Sequence, residues 1–167
     1  MTNHHMLSDK KGFIGDVLTI LVYSFIIGIT ILVGYLLLSS WNTQVQSSTT
    51  MGTTAQTLTQ TQATQFPGLW DSLFGVIFIG MSLASAISAY FIDTHPIVFA
   101  LCLIILAVFI IVGAVLSNAY NAIETSGIFA TFSASFKLMH YILNNLGMYA
   151  AVEGALIMIA LFTKARQ

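Results

Sequence analysis

Apolar and polar stretches alternate along this chain on a scale far longer than a turn of helix. Residues 13–38, 72–92, 97–117 and 146–163 are almost purely apolar, and the second and third runs contain no charged residue. At about 1.5 Å of rise per helical residue, runs of this length cross a hydrocarbon layer of roughly 30 Å. The pattern therefore predicts an all-α integral membrane protein, a single membrane domain with four transmembrane helices at about those positions.

The segments between the runs differ sharply in character. The second and third spans are separated only by Asp93, Thr94, His95 and Pro96, too short a turn to be anything but a reversal, so these spans are expected side by side and antiparallel. Thr94 or His95 is placed to cap the third span, and Pro96 falls in its first turn, where a missing N–H costs little. Between the first two spans lie residues 42–65, of which 18 of 24 are Thr, Gln, Ser or Asn and none is charged. A segment so poor in apolar surface is expected to be a flexible loop, ordered only through neighbours. Trp41 and Trp70 bracket it as interfacial aromatics, and Asp71 is expected to cap the second span. Between the third and fourth spans, Phe129, Phe132 and Phe136 recur at helical offsets. They predict an interfacial helix, with a re-entrant segment between the breaks at Gly127 and Asn144-Asn145 as the second reading.

Composition turns the membrane assignment into a requirement. With 57% hydrophobic and 7% charged residues, the chain lacks the polar surface a water-soluble globule needs, so the lipid bilayer is its first partner. The net charge is −1 and the five basic residues are dispersed, which leaves no patch for nucleic acid. Lys10 and Lys11 precede the first span, Lys164 and Arg166 follow the fourth, and Lys137 stands alone between. This distribution puts both termini and the turn at His95 on one side, with the Thr/Gln segment on the other. Lys10-Lys11-Gly12-Phe13 resembles the processing site of a pilin-type leader, but a 26-residue apolar run favours a retained span. The adjacent pair His4 and His5 lacks further ligands for a metal, Cys102 has no partner for an intramolecular disulfide, and no cofactor motif occurs.

Two features inside the spans carry the functional expectations. Gly80, Ala84 and Ser88 repeat at four-residue spacing, and Gly147, Ala151 and Gly154 form a second small-residue set, both suited to close helix packing in lipid. Glu153 is an acid deep in the fourth span. Such a residue either lines a polar path or accepts a hydrogen bond from a closely packed helix, and the second role is favoured because no other buried charge accompanies it. No Ser/His/Asp arrangement, zinc motif or phosphate loop is present, so an enzyme is not expected.

The stretch Phe78-Ile79-Gly80 through Ala89-Tyr90-Phe91-Ile92-Asp93-Thr94-His95-Pro96-Ile97-Val98-Phe99, with Leu116-Ser117-Asn118-Ala119-Tyr120 after it, resembles a hairpin in small membrane proteins of tailless icosahedral viruses that enclose an internal membrane. The resemblance covers about 45 of the 167 residues. It implies a virion membrane protein, present in many copies beneath a capsid and reaching the host cell membrane during assembly. From the residues themselves the expectation is a non-enzymatic structural or assembly subunit. Its partners would be copies of itself or other membrane or capsid proteins. A pore that uses Glu153, in a channel, small transporter or holin, is the alternative.

Overall fold

The computed structural model describes residues 12–90 and 96–165. They form six helices: α1 (Gly12–Ser47), α2 (Thr53–Tyr90), α3 (Pro96–Glu124), α4 (Ala130–Ser133), α5 (Lys137–Asn144) and α6 (Leu146–Ala165). Four of these, α1, α2, α3 and α6, are long and apolar enough to cross a membrane, as the apolar runs predicted. The protein is an all-α integral membrane protein.

Helix length departs most from expectation in the first half. The segment 42–65 is not a loop: residues 42–47 continue α1, residues 53–65 open α2, and only 48–52 form the turn between them. With 36 and 38 residues, these helices run about 54 and 57 Å and overshoot a bilayer core of roughly 30 Å. Their polar ends zip together. Asn42 Nδ2 donates to Gln60 Oε1 at 3.0 Å, Gln46 Nε2 to the Gln56 carbonyl at 2.7 Å, and Gln56 Nε2 to the Ser48 carbonyl at 3.3 Å. Thr57, Thr61 and Thr64 return their hydroxyls to carbonyls four residues back, which satisfies them without breaking the helix. Val45 and Ala63 bury the small apolar seam between the two ends.

Pro67 lies inside α2 and is buried, so the helix that carries the second span starts well before residue 72. Asp71, expected to cap that span, caps a different helix: its carboxylate accepts from the backbone N–H of Leu138 at 3.0 Å and of Met139 at 2.7 Å, at the start of α5. These are the donors that a helix N-terminus leaves without intrahelical partners.

The arrangement of the spans corrects a second expectation. Consecutive helices α2 and α3 scarcely touch among the described residues; α1 and α6 come between them, and each packs against both. α2 and α3 thus take opposite corners of a four-helix bundle. Asp93, Thr94 and His95 lie outside the described residues, while Pro96 opens α3 as expected. Val17 near the start of α1, Cys102 near the start of α3, and Ile157 and Met158 near the end of α6 surround one small cavity, so the start of α1 and the end of α6 lie at the same end of the bundle.

Phe129, Phe132 and Phe136 do not share one helix. The chain breaks into α4 and α5, and the rings turn toward protein. Tyr35 of α1 stands edge-on to Phe132 and Phe136, 5.3 Å from each ring centroid, and stacks on Phe66 at 5.8 Å. α5 is drawn in among the long helices, with Leu143 seated on Gly28 and Leu138 on Gly75.

Candidate functional site

The polar groups inside the bundle gather at two levels. The upper one surrounds the junction of α5 and α6. Glu124, the last residue of α3, places Oε2 3.0 Å from His140 Nδ1, and Asn144 Nδ2 donates to the same oxygen at 3.1 Å. Tyr120, one turn earlier on α3, is fully buried beside the His140 ring, and its hydroxyl has no partner. At Asn145 the helix is interrupted, which frees backbone groups in an apolar setting. Asn145 Nδ2 donates to the Tyr141 carbonyl at 2.8 Å, and the Leu146 N–H donates to Ser117 Oγ at 2.9 Å. The break is therefore sealed by side chains. The Asn144-Asn145 pair was legible as a break, but Ser117 and Glu124, both on α3, were not legible as its partners.

Glu153 forms the lower level. It is buried on α6 beside Ser82 and Ser85 of α2, and neither its Oε1 nor Ser85 Oγ has a hydrogen-bond partner. Ser24 of α1 is likewise fully buried with a free hydroxyl. Glu153 and Ser82 reach a groove of about 200 Å³ between α2 and α6, walled by Phe78, Leu83, Tyr149 and Leu156. The Phe78 and Tyr149 rings meet edge-to-face at 5.1 Å, closing one end. In the sequence, Ser82 and Ser85 stand only as small residues beside the repeat Gly80, Ala84 and Ser88.

The two small-residue sets fare differently. On α6, Gly147 meets α3 at backbone contact: a Cβ on Gly113 would come within 2.9 Å of Gly147 Cα. Gly154 is buried against Leu106, and Ala151 is half-buried. Close packing at α6 is thus made by α3, whereas the hydroxyls beside Glu153 come from α2. On α2, by contrast, Gly80, Ala84 and Ser88 all face outward, and a Cβ on Gly80 would meet nothing within 4 Å. Among the described residues, Phe74, Phe78, Ser85 and Ala89 form the inward face instead.

Among the described residues, no three His, Cys, Asp or Glu side chains converge as a metal site would require. His140 and Glu124 form a hydrogen-bonded pair that shares a pocket with Ser133, Lys137 and Tyr141, and Cys102 is buried at the other end of α3. Compared with protein-family models, curated proteins and solved structures, the chain matches none of them.

Proposed function

We propose that this protein is a non-enzymatic structural subunit of a membrane, assembled with copies of itself or with neighbouring membrane and shell proteins. The observation that carries the reading is the helical Thr/Gln hairpin at the head of α1 and α2. It extends past the apolar spans, bears no charge, and presents Thr57, Thr61 and Gln60 as an exposed polar row, in which the Thr hydroxyl oxygens can still accept and the Gln60 amide can still donate. A surface of that kind suits neutral hydrogen bonding to a protein neighbour and offers nothing for an ionic substrate. Burial of Glu153 against α2, the position of a structural acid, supports the same reading over a pore. Lys137, at the start of α5, is exposed. The virion setting, an internal membrane beneath a capsid, rests on the resemblance of the stretch from Phe78 to Phe99.

A photo-reactive residue at Thr57 in the native membrane tests this. Adducts to a second copy or to a shell protein are expected, and Thr61→Asp should reduce them at least about threefold by placing an unpaired charge in the contact. Exclusively monomeric species, together with ion conductance in planar bilayers, would overturn the proposal in favour of the pore.

A further inference from the structure

We infer that the recess between the end of α3 and the segment that carries α4 and α5 is a binding site for the phosphate ester of an anionic lipid headgroup, with Lys137 as its anchor. Glu124 of α3, Ser133 of α4, Ala134, and Lys137, His140 and Tyr141 of α5 line this recess of about 400 Å³. Lys137 is the only Lys or Arg between residues 12 and 163. It is exposed, and among the described residues no carboxylate lies within ion-pair distance of it. The acid of the same recess is committed elsewhere, because Glu124 Oε2 pairs with His140 Nδ1 at 3.0 Å and accepts from Asn144 Nδ2 at 3.1 Å, which leaves its side chain 15% exposed. The recess thus holds a cation without an internal partner.

Level and charge together select the ligand. The apolar span of α3 runs from Leu101 to Glu124, 24 residues or about 36 Å, so Glu124 stands at the edge of a hydrocarbon core of roughly 30 Å. His140 meets Glu124 there, and Lys137 lies one turn of α5 from His140, on the same side of the helix. Phosphate oxygens are the anionic groups that a bilayer presents at this depth, and a lysine ammonium pairs with them as a point charge. Tyr141, exposed beside the lysine, adds a hydroxyl donor and a ring of the kind that settles among headgroups. The volume holds a phosphate together with its glycerol arm. A zwitterionic headgroup brings its own cation to the phosphate and gains less from Lys137, so the anionic class is preferred.

The test uses the full chain, delipidated in detergent micelles, with bound lipid counted by native mass spectrometry. Phosphatidylglycerol should add as one retained molecule, about fivefold tighter than phosphatidylcholine with the same acyl chains, the value of one lysine at a headgroup. Lys137→Gln should bring the two lipids level, and Lys137→Arg, which keeps the charge, should keep the preference. Ala134→Trp fills the recess from an exposed position on its wall and leaves the lysine untouched, and it should remove the preference as fully as Lys137→Gln does. Glycerol 3-phosphate at a concentration equal to that of the lipid should not displace phosphatidylglycerol. Equal affinity of the native chain for the two lipids would overturn the assignment, as would a preference that survives Lys137→Gln or Ala134→Trp or is lost in Lys137→Arg. Glycerol 3-phosphate that competes on equal terms would give the recess to a soluble phosphate ester and overturn the lipid source.

Discussion

Gly113 and Gly147 set the closest approach between α3 and α6, and they show how far single residues were legible. Gly147 and Gly154, with half-buried Ala151 between them, lie where α6 packs closely on α3, whereas Gly80, Ala84 and Ser88 lie on a face of α2 that points outward. The physical reason lies in the solvent. In water an apolar face must turn inward, but lipid is as apolar as a protein interior, so sequence alone cannot say which of two small-residue faces is internal. Substitution separates them. Gly113→Leu drives a side chain into the Gly147 backbone and the Leu146 carbonyl, none of which can yield as a side-chain tip would. A loss of about 1–3 kcal/mol or more is expected in reversible unfolding from mixed micelles. Gly80→Leu meets open space and should leave that stability within about 0.5 kcal/mol. Equal losses at both positions would show that the α2 stripe is also a contact within the chain.

At the scale of elements, the helical extensions of α1 and α2 were hidden by composition. Thr- and Gln-rich sequence has too little apolar surface to order itself, and in isolation that argument holds. Here the polar residues are not isolated. They continue two membrane helices whose first turns are already formed, so the unfavourable nucleation step has been met and only propagation remains. Val45 and Ala63 then close a seam, and Asn42, Gln46, Gln56 and Gln60 link the two strands of the hairpin. Hydrogen exchange on the detergent-solubilised single chain follows from this. Amides in residues 42–47 and 53–65 should be protected at least about tenfold more than those in residues 48–52, because helical hydrogen bonds must open before exchange. Uniformly fast exchange across 42–65 would mean that both helices end at the lipid boundary and that neighbours supply the order. Asp71 is a further case of hidden partnership. A cap was legible at that residue, but its target, the start of α5, lies 67 residues along the chain in a helix too short to stand out.

For the whole molecule, the number of spans was legible and their neighbourhood was not. Span count follows from run length alone, since each run must satisfy its backbone groups across the hydrocarbon. Which helix lies beside which depends on shape: glycine clefts on α1, α2 and α3 that receive α5 and α6, and no comparable cleft between α2 and α3. The interleaving of α1 and α6 between α2 and α3 leaves topology unaltered, because four crossings return the chain to its starting side however the helices are ordered. Val17, Cys102 and Ile157 around one cavity mark that end, and residues 48–52 and 125–136 mark the other. In the sequence, Lys10 and Lys11 precede α1 and Lys164 and Arg166 lie at or beyond the end of α6, against the single Lys137 between them, a distribution expected to put both termini on one side. Single cysteines introduced into a Cys102→Ala background read this directly. Thr57→Cys and Ser126→Cys, both exposed, should react with an impermeant maleimide from one side of sealed vesicles, and Thr2→Cys and Gln167→Cys from the other. Labelling of Thr57→Cys and Ser126→Cys from opposite sides would remove one of the crossings α2 or α3. A terminus that reacts together with Thr57→Cys would mean that α1 or α6 lies along the membrane without crossing it.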